Sequence, residues 1–332
     1  MPHNLITDIP GVRVGHATDL ALGSGVTVVV FDESATASVS VRGGAPAGRD
    51  LGLLEPEMTY GLIDAIVLSG GSSYGLDATT GVQAALREQG RGLAFAGIRL
   101  PVAPTAIVFD LLNGGNKHWG RFPPYRELGF EAVAAATPGV FALGTVGGGT
   151  GATTSTLKGG VGSASAMTSS GHWVGAIVVV NAIGTATIGD GPHFWAAPFE
   201  QGREFGGLGW PAQFDTRLRT KGGAPPAPAT TIGLITTDAA LTKPQAKRLA
   251  IMADDGLARA IHPAHAPNDG DTMFAASTGA RPMADPLREL TELGHVAGQV
   301  MARAVARAVY EATALPYPPG PAAWRDHFGL AA

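Results

Sequence analysis

Along the 332 residues, apolar positions fall into short β-branched runs separated by glycine and into a few longer stretches with helical spacing. Residues 11–42 read as strands with turns: 25–31 is β-branched and apolar, and 36–41 alternates small polar with apolar side chains. Residues 65–69 have the pattern of a buried strand. They run into Gly70-Gly71-Ser72-Ser73-Tyr74-Gly75, after which 76–89 carry helical spacing. The stretch 93–111 is strand-rich, and 125–137 reads as a short helix ending before Pro138-Gly139. Residues 161–166 and 173–183 predict a hairpin around Ser169-Ser170-Gly171-His172.

Residues 184–229 differ in texture, with scattered Trp, Pro and Gly. They end in Lys221-Gly222-Gly223-Ala224-Pro225-Pro226-Ala227-Pro228-Ala229. Proline lacks a backbone donor and fixes φ, so this run makes neither helix nor central strand and is expected to be a loop or linker. The pattern then returns abruptly to a strand at 230–237. A helix follows, opened by Thr242-Lys243-Pro244-Gln245 at capping-box spacing and running to about 261. A loop over 263–270 precedes a strand at 271–277. The last helix, about 286–313, carries Leu287, Leu290, Leu293, Val296, Val300 and Ala304 near helical spacing. Strands and helices mixed throughout place the chain in the α/β or α+β class.

Composition narrows the function. With 45% hydrophobic residues there is ample material for a core, and a net charge of −4 without a Lys/Arg run argues against nucleic acid or an anionic membrane as partner. The absence of cysteine removes disulfides, zinc–thiolate sites and thiol nucleophiles together. The first ten residues lack a basic segment followed by an apolar one, and apolar stretches such as 174–180 fall far short of a membrane span. A soluble, cytoplasmic protein is expected.

Five features could carry chemistry. Thr230 opens an apolar strand directly after the Pro/Ala/Gly run. Were the chain cut before it, its hydroxyl would lie beside a free α-amine titrating near ~8, which can take the hydroxyl proton; Thr230-Thr231 also suits an ordinary strand start. Asn268-Asp269-Gly270-Asp271 sets two carboxylates around a glycine at a loop-to-strand junction, a turn composition that could equally hold a nucleophile or, with His262 and His265, a metal. The glycine-rich segments 147–154 and 70–75 could cradle phosphate or an oxyanion, or simply pack tightly; neither ends in the Gly-Lys-Ser/Thr of a P-loop. Lys158 is the one cation among small residues between 144 and 166, tuned by desolvation or solvated at the surface. Asn181 ends an apolar strand, where a buried amide is either satisfied internally or aimed at a site.

The order of these features resembles the self-processing N-terminal-nucleophile amidases, a family that includes L-aminopeptidase/D-esterase, the β-peptidyl aminopeptidases and the nylon-oligomer (aminohexanoate-oligomer) endo-hydrolases. The residues that carry the likeness are Ile9-Pro10-Gly11-Val12-Arg13-Val14-Gly15-His16, the turn from Leu68 to Leu76, Gly162-Ser163-Ala164-Ser165, Thr230-Thr231-Ile232, Pro244 to Arg248 and Asp269-Gly270-Asp271. In its motifs the chain resembles the nylon-oligomer hydrolases most.

The resemblance implies a layered α/β/β/α sandwich, made as a precursor that cuts itself between Ala229 and Thr230 into an α chain (1–229) and a β chain (230–332), together one compact domain with a linker at about 184–229. It implies Thr230 as nucleophile, supported by Asp269 and Asp271, with Lys158 as the site lysine and Asn181 as the oxyanion-stabilising amide. Phe109 stands where well-known members carry a tyrosine, and Phe109 and Tyr74 are the candidate substrate-pocket residues. No cofactor and no metal are implied. The expected partner is a small amide or peptide, and a homo-oligomer of αβ units is expected. The apolar Ala106-Ile107-Val108 before Phe109 offers no carboxylate for a substrate ammonium, which favours cleavage within small amide oligomers. A strict aminopeptidase is the alternative, and a glycine-rich phosphate-binding protein the distant one.

Overall fold

The computed structural model describes residues 2–222, 227–318 and 320–329. Strands β1 (Val12–Asp19) and β2 (Ser24–Val41) pair antiparallel, and β2 continues for 18 residues where the sequence pattern suggested separate strands. The short β3 (Gly48–Arg49) precedes β4 (Leu62–Ser69), a 3₁₀ turn over Ser72–Asp77 and helix α1 (Ala78–Glu88). An exposed ribbon of β5 (Leu93–Phe95) and β6 (Ile98–Leu100) leads to β7 (Thr105–Ile107) and α2 (Tyr125–Ala134). The expected hairpin is β8 (Gly160–Met167) and β9 (Trp173–Asn181). Then come β10 (Thr230–Ala239), α3 (Lys243–Ala260), β11 (Thr272–Arg281), α4 (Pro286–Tyr310) and a short α5 (Trp324–Phe328) that the pattern did not suggest.

Among the described residues, nine strands join in the order β3-β7-β4-β2-β11-β10-β9-β8, with β1 on the free side of β2. The length of β2 makes this one path out of two layers. Its first half pairs with β1 and β4, and its second half, residues 36–41, pairs with β11. Alternation along the strands then sorts the apolar side chains. Val26, Val28 and Val30 face α1 and α2, while Val29 and Phe31 face the middle. Val174, Ala176, Val178 and Val180 face α3 and α4, while Ile177 and Val179 meet Val29, Phe31, Ile232 and Phe274 between the layers. The resulting layers are helix, sheet, sheet, helix, as expected.

The helix α3 starts where its cap predicts: Thr242 and Gln245 form a reciprocal capping box, with proline in the first turn. Residues 184–222 contain only the 3₁₀ turn Ala197–Phe199 as regular structure, yet they are pinned to the core by Phe194, which stacks on Trp324, and by Phe205, which meets Phe194 edge-on. Of the proline-rich run, residues 223–226 lie outside the described residues. No helix among the described residues is long and apolar enough to cross a membrane.

Candidate active site

Three strand ends converge on Thr230. It is the first residue of β10 and lies opposite Asn181, the last residue of β9. On the other side β11 runs parallel, with Ile232 opposite Thr272. That register brings Asp269-Gly270-Asp271 alongside Ala229-Thr230-Thr231. Ala229 bridges to Asp269, the Gly270 N–H donates to the Ala229 carbonyl at 3.0 Å, and the Thr231 N–H donates to Asp271 Oδ1 at 2.7 Å. The Thr230 hydroxyl donates to the same Ala229 carbonyl oxygen. A Cβ at Gly270 would come 2.6 Å from Thr230 Oγ1, so only glycine leaves the hydroxyl its space. Thr230, Asp269, Asp271 and Asn181, far apart in sequence except for the aspartates, therefore form one buried corner.

The carboxylates play different parts. Asp271 accepts from the Thr231 N–H, the His265 N–H at 3.0 Å and His265 Nδ1 at 2.8 Å. Burial opposes charge on His265, but its hydrogen bond and charge contact with Asp271 outweigh that and raise its pKa. Asp269 accepts from the Gly270 N–H at 3.1 Å, and burial first, then the charge and hydrogen-bond contact with Asp271, pushes its pKa well above the usual carboxylate range. Protonated, it can donate or relay a proton beside Thr230.

Asn181 is held from three sides. Its Oδ1 accepts from the Thr153 N–H at 3.0 Å and Lys221 Nζ at 2.8 Å, and its Nδ2 donates to the Phe109 carbonyl at 3.0 Å. Donors on the oxygen and an acceptor on the nitrogen fix which way the amide faces. Among the described residues only one of the two Nδ2 hydrogens has an acceptor, which leaves the other for an oxyanion.

Lys158 sits one layer behind. Its Nζ donates to the carbonyls of Gly149, Ala152 and Gly159 at 2.8–3.0 Å, and burial, aided by the like charge of Lys221, lowers its pKa to about 7. Its connection to the corner runs through the loop it anchors: Thr153 pairs with Lys158 and holds Asn181. Lys221 carries no sequence signal beyond opening the glycine- and proline-rich run. Burial lowers its pKa to about 7 as well.

Phe109 lines a cavity of about 200 Å³ together with Asp110, Leu112, Thr153, Lys221 and Pro228. Tyr74 does not reach it. That side chain is half exposed on the 3₁₀ turn before α1 and packs edge-on against Trp119, 5.3 Å away, so the expected pairing of Phe109 with Tyr74 is replaced by Phe109 with Asp110. The absence of a carboxylate near Phe109 thus held only for the residues before it. Asp110 is buried, its oxygens accept from Ser24 Oγ at 2.6 Å and the Gly71 N–H at 2.7 Å, and burial raises its pKa.

The glycine segments pack rather than cradle. A Cβ at Gly148 would meet the Leu68 carbonyl at 2.4 Å and one at Gly75 the Gly70 carbonyl at 1.8 Å, and the N–H groups of Gly147 and Gly148 donate to Thr18 and Thr27. His262 stacks flat on Trp195, with ring centroids 4.0 Å apart, while His265 serves Asp271. No cluster of three His, Asp or Glu suited to a metal occurs among the described residues.

The profile of peptidase family S58 matches residues 4–320. The chain belongs to that family. An uncharacterised aminopeptidase of Mycobacterium tuberculosis is 41% identical, the match covering 93% of this chain and 94% of the relative. The 6-aminohexanoate-oligomer endohydrolase of a Kocuria species is 30% identical over 82% of this chain and 74% of the relative, so overall identity is higher to the former although the motifs resembled the latter. Among solved structures, a β-aminopeptidase of a Burkholderia species superposes with a TM-score of 0.65 at 25% identity, covering 94% of this chain and 87% of that one. The L-aminopeptidase D-Ala-esterase/amidase of Ochrobactrum anthropi, described as a variant of the N-terminal-nucleophile hydrolase fold, also gives 0.65, at 21% identity with the same coverage. This S58 chain is accordingly an amide hydrolase with the layered fold of that group.

Proposed function

We propose that this chain is made as a precursor that cuts itself between Ala229 and Thr230, and that the freed Thr230 hydrolyses short linear amides. The observation that carries the reading is the geometry at the scissile peptide: the Thr230 hydroxyl lies against the Ala229 carbonyl, whose oxygen is held by the Gly270 N–H. Attack of Oγ on the Ala229 carbonyl carbon puts negative charge on that oxygen, where Gly270 stabilises it. The C–N bond then breaks, the amine takes the hydroxyl proton, and the ester left on Oγ is hydrolysed by water. Thr230 emerges with a free α-amine as its own base. In the second reaction the α-amine takes the Oγ proton as Oγ attacks a substrate amide, and the Asn181 Nδ2 hydrogen meets the oxyanion. Protonated Asp269 supports proton transfer to the leaving amine, and water then hydrolyses the ester on Oγ to release the acid and restore the hydroxyl.

The substrate reading is cleavage within small ω-amino-acid oligomers, supported by the apolar lining around Phe109 and by an Asp110 whose oxygens are already engaged. A second reading, removal of N-terminal residues, is favoured by the 41% identity to a relative named an aminopeptidase. An αβ assembly in the cytoplasm belongs to the same proposal. Intact mass tests it: wild type yields fragments of roughly 23 and 10 kDa, scaled by length from 33.7 kDa, the smaller beginning Thr-Thr-Ile. Thr230→Ala stays as one chain and turns over nothing. Normal processing of that variant refutes the assignment.

A further inference from the structure

Lys221 lies eight residues before the Ala229–Thr230 peptide in the chain, within the stretch that leads to the scissile bond. Its backbone is tied on both sides: its N–H donates to the Ile183 carbonyl at 2.7 Å and its carbonyl accepts from the Ala227 N–H at 3.3 Å. Its ammonium reaches across to Asn181, donating to Oδ1 at 2.8 Å and to the backbone carbonyl at 3.4 Å. Among the described residues Asn181 has one further partner on Oδ1, the Thr153 N–H. Removing Lys221 would leave that oxygen singly held and the amide free to tilt about its terminal torsion, which is intrinsically broad.

The two oxyanions of the proposed reactions have different donors. In the uncut chain the Ala229 oxygen is already held by the Gly270 N–H. Asn181 Nδ2 is turned towards the Phe109 carbonyl, beside the cavity where Ala227 and Pro228 form part of the wall. Asn181 therefore serves the substrate reaction, and whatever orients it should affect turnover and spare self-cleavage.

We propose that Lys221 is a positioning residue for substrate hydrolysis, acting through the Asn181 amide and dispensable for self-cleavage. The proposal rests on the reading of Thr230 as nucleophile and of Asn181 as its oxyanion donor. The Lys221 ammonium also faces Asp269, Asp110 and Lys158, so its charge bears on each of them. A test is needed that isolates the route through Asn181.

That test is a double-mutant cycle of Lys221→Ala and Asn181→Ala. It reads turnover of whichever wild type cuts fastest among alanine p-nitroanilide and the free and acetylated linear trimers of 6-aminohexanoate. Self-cleavage is followed in parallel by intact mass. Lys221→Ala should lower kcat about tenfold with KM and the self-cleavage rate each within about twofold, and Lys221→Gln, which keeps a donor, should recover most of the loss. In the Asn181→Ala background the same change should cost less than about twofold. Wild-type turnover by Lys221→Ala, the full tenfold loss persisting without Asn181, or failed self-cleavage in Lys221→Gln would each overturn the proposal. Should Lys221→Ala not fold, Lys221→Gln and Lys221→Met take its place in the cycle. A wild type that neither cuts itself nor any of the three amides would instead refute the underlying reading.

Discussion

Two buried clusters of ionisable groups, one at Thr230 and one around Arg303 on α4, treat charge in opposite ways. Arg303 donates to Glu204 through Nε at 2.6 Å and Nη2 at 3.0 Å, to the Ser165 carbonyl at 2.9 Å and to Asn4 Oδ1 at 2.7 Å. Burial alone would raise the Glu204 pKa, yet the Arg303 bonds outweigh it and hold the carboxylate below its usual value. Around Thr230, outside the His265–Asp271 pair, burial prevails instead: Lys158 and Lys221 fall to about 7 and Asp269 rises. Glu204, fully partnered, keeps its charge, and its pair with Arg303 ties Asn4 and β8 to α4. Groups denied a close opposite charge sit near the point where they change protonation at neutral pH, the condition for moving protons. Burial is common to both, and partnering makes the difference.

This contrast can be broken most severely at Arg303. Arg303→Ala leaves Glu204 buried without its main partner and should destabilise the fold by about 3–5 kcal/mol, read by urea unfolding, while the folded fraction keeps its kcat. A loss of kcat at full stability would mean that the two clusters are not separate.

Next in size, Asn181→Ala should lower turnover about 10²–10³-fold with thermal stability nearly kept and self-cleavage still occurring. Unchanged turnover would remove Asn181 from the site.

Both clusters should gain stability as pH rises, but in different windows: Glu204 through a favourable charge that is lost in acid, Lys158 through a buried charge that is shed in base. Glu204 has a folded pKa below its unfolded value, so its contribution is present above about 4.5 and is lost as pH falls through the folded value. Lys158 has a folded pKa of about 7 against 10.5 unfolded. Its burden is full below about 7 and lifts as pH rises towards 10.5, because the unfolded chain binds the extra proton in that window. In uncut Thr230→Ala protein, stability relative to the further variant Lys158→Met should therefore improve between pH 7 and 10, as followed by denaturant midpoints. A flat difference would show that Lys158 keeps its ordinary pKa.

The smallest expected effect concerns the substrate's amine. Acetylating a linear ω-amino-acid oligomer should lower kcat/KM by less than about tenfold, because Asp110 is engaged by Ser24 and Gly71 and burial favours its neutral form. Product masses from matched free and acetylated oligomers decide it. Release of N-terminal residues alone, with no reaction on the acetylated oligomer, would establish the aminopeptidase reading.

The sequence alone was sufficient for the elements whose signals are local. The β-branched run at 25–31, the Thr242–Gln245 capping box and the apolar face of 286–313 each reappear as β2, α3 and α4, because strand alternation and helix capping depend on neighbours within a few residues. The abrupt change from a proline-rich run to Thr230 was likewise legible, and with it the candidate nucleophile. Distant pairing decided the rest. That β2 spans both layers depends on β11, whose register also brings Gly270 within reach of Thr230. Tyr74 and Phe109 share an aromatic character in sequence, but only packing shows one facing solvent and the other lining the cavity. Lys221 reads as linker until the fold sets its ammonium on Asn181, and Lys158 stays open between a desolvated and a solvated cation until three carbonyls close around it. The burial of a charge and its partners are properties of residues brought together from far along the chain, so no local pattern encodes them.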